Sequence, residues 1–252
     1  MQTRPTGHVV LLTDFGDADP YVGILRGAVL RANPRATLVD LGHTVPAHDV
    51  IAGAFWLWAA QARFPNGSVV VAVVDPGVGT ARRLLAVAAQ QMFWIAPDNG
   101  LLSHVLAADP SAEIRELDPQ HLQLPPASAT FHGRDILGPV AGWLSGGRYG
   151  FSALGARIAD PVRLSGLFDG PPRILHVDGY GNLVTNLPAD GPTPNRLEVA
   201  GRPIAVHRTY GDVAPGDLLA LVGSFGLWEI AEHGGSAART LGVGRNAPVR
   251  VH

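Results

Sequence analysis

The run Ser68–Val74 constrains the fold more than any other part of this sequence, because six of its seven residues are valine or alanine. A strand that is apolar on both faces needs a covering layer on each side, which is typical of a central strand in a mostly parallel sheet. Asp75 follows the run immediately. The run therefore predicts an α/β layered domain with a carboxylate at the carboxyl end of its central strand.

The sequence around this run alternates β-type runs with helix-like stretches, the order expected of a Rossmann-like α/β domain. We expect this domain to cover residues 1–165. Asp19 is expected to cap the first helix, with Pro20 at the first helical position. The other predicted elements are strands at His8–Thr13, Thr37–Leu41, Leu84–Ala89 and Phe93–Ala96, and helices at Tyr21–Ala32, from the Asp49 cap through Arg63, at Leu101–Ala107 and from Gly133 through Leu144.

The sequence changes character after Ser165–Pro172, a stretch rich in Gly and Pro where we place the domain boundary. Short β-like segments separated by Gly, Pro, Asn and Asp follow, and they predict a small β-barrel or sandwich over residues 173–252. The predicted strands are Ile174–Val177, Leu183–Asn186, Arg196–Val199, Ile204–His207, Leu218–Val222, Leu227–Ala231 and Val249–His252.

The composition excludes several classes of function. The chain has no cysteine and no lysine, which removes thiolate chemistry, Schiff-base lysines and the phosphate-loop lysine. Its net charge of −2 is dispersed, so we expect no nucleic-acid partner. The longest apolar run, near Ile51–Ala60, is too short to span a bilayer, and the N-terminus lacks the pattern of a secretory leader. We therefore expect no membrane partner and a cytoplasmic protein.

Polar residues follow two of the predicted strands. Open α/β sheets bind ligands beyond the carboxyl ends of their strands. Thr13–Gly16 ends the first strand, and the segment Asp75–Arg83 ends the valine-rich one. Asp14 can accept hydrogen bonds from a ribose diol or can cap a turn. Asp75 and Arg82, seven residues apart, can form either a structural salt bridge or a catalytic pair.

Five segments together resemble the S-adenosylmethionine hydrolases, which are also called SAM hydroxide adenosyltransferases and are related to fluorinating and chlorinating enzymes. The resemblance runs in order through nearly the whole chain. It is carried by Thr13-Asp14-Phe15-Gly16 with Asp19–Gly23, by Val74–Arg83, by Ala96–Gly100, by Phe131–Asp135, and by Asp178–Asn182 through Thr185-Asn186.

The resemblance implies hydrolysis of S-adenosyl-L-methionine (SAM) to adenosine and L-methionine, with attack of water or hydroxide at ribose C5′. It implies no metal and no organic cofactor. It also implies a homotrimer in which the α/β domain of one subunit and the β-domain of its neighbour enclose the substrate. Asp75, Arg82 and His132 would form the set that activates the water.

The resemblance further implies a set of residues that bind the polar groups of the substrate. Asp14 would hold the ribose diol. Asp19 and Asp178 would hold the methionine ammonium. Ser236 would meet the methionine carboxylate.

The adenine base would be surrounded by residues of the second domain. Tyr180 and Asn182 would lie against it, together with the segment that contains Arg245 and Ala247. The segment and Asn182 would contribute partly through backbone groups.

Two alternative functions use the same residues. A halogenating relative needs a halide pocket; the serine that fluorinases use there corresponds to Gly133 in this chain, and Asp75 replaces their aromatic residue. Both differences favour water. A non-catalytic sensor of adenosyl ligands could use every recognition residue without turnover.

Several polar residues also have a purely structural interpretation. His132 alone could be a histidine at a helix entry, bonded to backbone. His43 and His48 with Asp49 resemble loose metal ligands, but the intervening Val45-Pro46 indicates a loop, so capping and packing are the favoured roles.

Overall fold

The computed structural model describes residues 3–61, 63–165 and 167–252. By its internal contacts the chain divides into two compact units, Met1–Leu164 and Ser165–His252. The first combines helices with a mixed sheet, and the second is built from antiparallel sheets. No helix among the described residues is long and apolar enough to cross a membrane.

The first unit is organised by a six-stranded sheet. Its order is β2-β1-β3-β5-β4-β6, in which β1 is parallel to β2 and β3, β3 is parallel to β5, and β4 is antiparallel to both neighbours. The strands are β1 (His8–Thr13), β2 (Thr37–Gly42), β3 (Val69–Val73), β4 (Leu84–Ala89), β5 (Met92–Pro97) and β6 (Glu113–Glu116). Every residue of β3 is buried, as its valine-rich sequence predicts.

Helices cover this sheet. They are α1 (Tyr21–Ala32), α2 (Val50–Ala60), α3 (Ser103–Ala108) and α4 (Gly138–Ser145), and a π-helical turn at Gly133–Leu137 runs directly into α4. The core between α1, α4 and the sheet contains Leu25 and Val29 of α1, Val140 and Leu144 of α4, and Val71 of β3. A single helix was predicted from Gly133 through Leu144, whereas the structure divides it into a π and an α part.

The start of α1 differs from the prediction. Asp19 is not its cap, because Pro20 occupies the cap position and its carbonyl accepts the first helical hydrogen bond, from Ile24 N at 2.9 Å. The predicted cap of α2 is confirmed, since the Asp49 carboxylate accepts from Ala52 N at 2.8 Å. That helix ends at Ala60 and not at Arg63, because Gln61 already has an extended backbone with ψ of 142°.

The second unit contains two antiparallel sheets. The four-stranded sheet has the order β11-β12-β8-β7, and the three-stranded sheet has the order β10-β9-β13. The strands are β7 (Ile174–Val177), β8 (Leu183–Pro188), β9 (Arg196–Val199), β10 (Arg202–Ala205), β11 (Leu218–Val222), β12 (Leu227–Glu232) and β13 (Arg250–Val251), with a short helix α5 (Ala237–Leu241). Their core includes Ile174, Leu183, Leu197, Trp228 and Ile230.

Candidate active site

Asp14 and Asp75 lie at the carboxyl ends of two neighbouring parallel strands. Thr13 of β1 is in register with Val73 of β3, and Asp14 N donates to Val73 O at 3.4 Å. The Asp14 carboxylate accepts from the backbone N–H of His48 at 2.8 Å. The sheet therefore brings the two polar strand ends to one edge, as the sequence predicts.

The loop Asp75–Arg83 folds back so that Arg82 reaches Asp75. Arg82 Nε donates to Asp75 Oδ1 at 2.6 Å, and Arg82 Nη2 donates to Oδ2. The Arg82 and Asp75 side chains are only 9% and 5% exposed. Gly77 leaves room for this return, because a Cβ there would lie 3.2 Å from Arg82 Cδ. The result is a buried bidentate ion pair of fixed orientation.

His132 joins this pair from a distant part of the chain. It immediately precedes the π-helical turn, and its Nδ1 lies 3.0 Å from Arg82 Nη2. Burial is the largest cause that lowers the pKa of His132 below its ordinary value, and the Arg82 charge lowers it further, against the opposing charges of Asp75 and Asp135. The imidazole is therefore held towards its neutral form.

A cleft of about 240 Å³ opens beside these residues. Asp14, Asp75 and His132 line it, so one concavity presents two carboxylates and an imidazole. Its other lining residues are Phe15, Tyr21, Ala47, His48, Val73, Val78, Thr130, Phe131 and Gly133. Asp19, which the resemblance places on the methionine ammonium, is exposed in the turn before α1 and does not line this cleft.

The second unit contains the other predicted binding residues, and the first group of these forms a tight turn. The Asp178 carboxylate accepts from Tyr180 N and Asn182 N, both at 2.9 Å, and from Asn182 Nδ2 at 3.0 Å. Asn182 is buried, whereas the Tyr180 side chain is exposed. The turn therefore fixes one polar side chain inside and presents one aromatic ring outside.

Ser236 packs onto this turn. The backbone of Gly181 has a φ of 89°, and a Cβ there would collide with the Ser236 side chain. Ala238 N donates to Gly181 O at 2.9 Å, and Ser236 caps α5 by accepting from Arg239 N. Ser236 is thus close enough to the Asp178–Asn182 turn to share a site with it.

Arg245 and Ala247 lie against β7, the strand that leads into the turn. Arg245 Nε donates to Leu175 O at 3.0 Å, and Ile174 N donates to Ala247 O at 2.9 Å. A separate cleft of about 460 Å³ in this unit is lined by Tyr180, Asn182, Tyr210, Glu232, Gly234 and Gly235. Arg245 and Ala247 do not line it.

Phe15, Tyr21, Phe131 and His48 are among the cleft residues that were given no binding or catalytic role from the sequence. Phe15, Tyr21 and Phe131 belong to segments that carry the family resemblance, and this membership was the available signal. His48 has a left-handed backbone with φ of 65°, which turns its N–H towards Asp14. Such a conformation cannot be inferred from a histidine in the sequence.

Other candidate groups have structural roles. His43 Nδ1 lies 2.9 Å from Thr13 Oγ1 in the core, in agreement with the packing role favoured above. Asp98 accepts from Arg83 Nε and from Val162 N, each at 2.8 Å. Within the described residues, no group of three or more His, Asp or Glu side chains is arranged to hold a metal ion.

Comparisons with known proteins point in one direction. Residues 9–155 match the family model of the SAM hydroxide adenosyltransferase N-terminal domain, and residues 172–250 match that of its C-terminal domain. The chain is 39% identical over 256 residues to the (R)-S-adenosyl-L-methionine hydrolase of Thermus thermophilus, covering 96% of this chain and 98% of that protein. It is 40% identical over 267 residues to the enzyme of the same name from Salinispora tropica, covering 98% of each chain.

Halogenating enzymes are less similar to this chain than the two hydrolases are. Two solved structures have folds similar to that of this chain. A fluorinase from Actinoplanes is 25% identical over 214 residues, covering 71% of each chain. The crystal structure of an uncharacterized conserved protein from Thermotoga maritima gives a TM-score of 0.89 at 32% identity, covering 96% of this chain and 99% of that one. A conserved hypothetical protein from Thermus thermophilus gives 0.81 at 37% identity, covering 99% and 100%.

Proposed function

This chain belongs to the SAM hydroxide adenosyltransferase family and hydrolyses SAM to adenosine and L-methionine, and we propose that Asp75, Arg82 and His132 prepare the water for this reaction. The observation that supports these roles is the single guanidinium that contacts both Asp75 and His132 at the edge of the cleft. Binding residues in the proposal are Asp14, Asp19, Asp178, Tyr180, Asn182, Ser236, Arg245 and Ala247.

The leaving group of this reaction needs no protonation by the enzyme. The sulfonium departs as a neutral thioether, so no general acid is needed. Catalysis then depends on holding a water molecule in line with C5′ and on accepting its proton. The proposed set is suited to that task, because it combines a fixed carboxylate with a neutral imidazole.

The contact between Arg82 and His132 suggests how these two tasks are divided. A guanidinium can only donate hydrogen bonds, so His132 Nδ1 accepts, and the neutral ring carries its proton on Nε2. In that tautomer the ring donates to the water oxygen and cannot take its proton at Nε2. We therefore assign the proton acceptor to Asp75, whose oxygens retain lone pairs beside the bonds from Arg82.

Hydrolysis in H₂¹⁸O tests the proposed position of attack. Purified protein given SAM should release adenosine with the label in its 5′-hydroxyl group and unlabelled methionine, as measured by mass spectrometry. Label in an amino-acid product, or formation of methylthioadenosine, would place the attack elsewhere. Binding of SAM without any product in a single-turnover experiment would instead support the sensor.

The same assay distinguishes the halide alternative and addresses stereochemistry. A halogenase would form a 5′-halo-5′-deoxyadenosine in amounts that rise with chloride or fluoride. The relatives' names specify (R)-S-adenosyl-L-methionine, and we propose that this chain shares the preference. Equal rates with both sulfonium epimers would contradict it.

The assembly and the finer fold description belong to the same proposal. We propose a cytoplasmic homotrimer with its sites at subunit interfaces, in which residues 1–165 form a Rossmann-like domain and residues 173–252 a small β-barrel or sandwich. Light scattering coupled to gel filtration should give three times the chain mass of 26.4 kDa. A monomer with full activity would exclude sites shared between subunits.

A further inference from the structure

We propose that Phe15, Tyr21 and Phe131 form an aromatic face that recognises the positive charge of the substrate sulfonium. This inference rests on the proposed function and adds a specificity determinant to it. Electron-rich ring faces attract cations, and quaternary ammonium groups are bound in this way by clusters of aromatic side chains. A sulfonium is a cation of comparable softness and low hydration.

The three rings form one compact cluster. The ring centroids are 6.0 Å apart for Phe15 and Tyr21, 5.7 Å for Phe15 and Phe131, and 5.5 Å for Tyr21 and Phe131. All three residues line the cleft that contains Asp14, Asp75 and His132. Tyr21 is 48% exposed, which is high for a ring that also packs against two others.

The geometry of displacement brings the sulfonium into this cleft. The attacking water must stand roughly 3–3.5 Å from C5′, with sulfur on the opposite side of that carbon. Sulfur is one bond further on, and therefore lies roughly 5 Å from the water oxygen. A water molecule held by Asp75 and His132 thus places the sulfonium within about 5 Å of it, beside the cleft that these residues line.

The charged side chains in and beside the cleft have other partners or assigned roles, so the aromatic rings are free to interact with the sulfonium. The Asp75 charge is paired with Arg82 and is assigned to the attacking water, and Asp14 is assigned to the ribose diol. Arg134 lies over Phe131, with its guanidinium carbon 5.2 Å from the ring centroid, but its charge is paired with Asp135 at 2.6 Å. The aromatic cluster then contributes negative potential that no other assigned role in the cleft uses.

This face should stabilise the bound substrate more than the transition state. Positive charge leaves sulfur as the bond to C5′ breaks, so the attraction to the rings decreases along the reaction. Removing a ring should accordingly weaken SAM binding and raise the rate of the chemical step by a smaller factor. The neutral thioether of the released methionine also loses the attraction, which favours its departure.

Tyr21→Leu tests the proposal, with Tyr21→Phe as its matched control. Leucine keeps an apolar side chain but removes the ring, and Tyr21 is exposed, so the substitution leaves the buried core unchanged. In single-turnover reactions, Y21L should raise the half-saturating SAM concentration roughly tenfold, and the limiting rate should rise by a smaller factor and should not fall. The inhibition constant of S-adenosyl-L-homocysteine, which has a neutral sulfur, should change less than about twofold, and Y21F should resemble the wild type in both measurements.

Equal weakening of SAM and S-adenosyl-L-homocysteine binding would overturn the proposal, since it would show a packing contact without charge recognition. An unchanged SAM affinity would overturn it as well. Phe15→Leu provides a second variant that should show the same selective loss. These outcomes are distinct from failure of the proposed function, in which the wild-type protein would release no adenosine.

Discussion

Nη2 of Arg82 lies 3.0 Å from Nδ1 of His132, and this contact couples the charge state of the imidazole to a buried ion pair. The same nitrogen donates to the Asp75 carboxylate. Protonation of His132 would place an N–H group against a group that can only donate, so the contact would be lost. The arrangement is stable only while His132 is neutral.

Turnover should therefore fall on acidification through the pKa of His132, which burial and the Arg82 charge hold below the ordinary 6.5. Turnover falls in this direction because the proposed mechanism uses the neutral form of His132. A pH profile of the limiting rate should show an acid limb below that value. His121→Gln, which changes an exposed histidine, should leave the limb in place. A limb at or above 6.5 would contradict the assignment.

The free energy of unfolding should also fall on acidification, because the pKa of His132 is lower in the folded chain than in the unfolded one. The unfolded chain then binds the proton more readily. Stability from this residue is present above pH 6.5 and is lost as the pH falls towards the folded pKa. The free energies of unfolding of the wild type and of His132→Asn, measured with denaturant across this pH range, should depend on pH with different slopes.

Arg82→Gln should raise the pKa of His132. The substitution removes a positive charge that lowers this pKa, and it leaves the Asp75 charge, which raises it, without its partner. An NMR titration of the His132 ring protons measures the pKa independently of turnover. A downward shift would show that Arg82 acts on His132 through something other than its charge.

Asp75→Asn should lower the limiting rate by a factor of about 100 or more, with a much smaller change in SAM affinity. The amide keeps the shape and one acceptor for Arg82, but it cannot accept the proton of water. Asp160→Asn is the matched control, because Asp160 also pairs with an arginine, Arg83, yet is 80% exposed. A loss of affinity as large as the loss of rate would assign Asp75 to substrate binding.

The sequence predicts most strands of this protein because buried strands are rich in apolar residues. The bounds of β1 and β4 agree with the predicted ones, since both are continuous apolar runs. The edge strand β6 was not predicted, because Glu113–Glu116 contains three charged residues in four and has no apolar run. The helix α5 is also absent from the prediction, since five residues are too few to show helical periodicity.

In the candidate site, contacts between residues close in the sequence could be predicted, whereas contacts between distant residues could not. The ion pair of Asp75 and Arg82 follows from seven-residue spacing across a Gly-rich turn, and the structure contains it. The approach of His132 could be expected only from the family resemblance, since fifty residues separate it from Arg82. The physical reason for that approach is the docking of two loops, which no local pattern records.

Gly133→Ser should be accepted by the fold without converting the enzyme to a halogenase. A Cβ at Gly133 would meet Phe131 at 3.4 Å and Val73 at 3.6 Å, both ordinary contact distances. Asp75 and Arg82 would remain in place, so water would still be the preferred nucleophile. The thermal midpoint should change by no more than a few degrees, and adenosine should stay the main product in chloride. Accumulation of 5′-chloro-5′-deoxyadenosine would show that Gly133 alone excludes the halide.

Gly79→Ala should disturb the site through the docking of its loop. Gly79 has a φ of 81°, and a Cβ there would approach the Ala129 carbonyl more closely than real Cβ atoms do. Gly147→Ala is the matched control, since Gly147 has a φ of 74° but nothing within 4 Å of its Cβ position. Left-handed backbone strain alone costs about 1–2 kcal/mol and is common to both variants. The free energy of unfolding should therefore fall further in G79A than in G147A. Turnover should fall in G79A alone, because a displaced 129–132 segment moves His132 away from Arg82. Equal effects of the two variants in denaturant unfolding and in turnover would mean that the contact between the loops does not hold the site together.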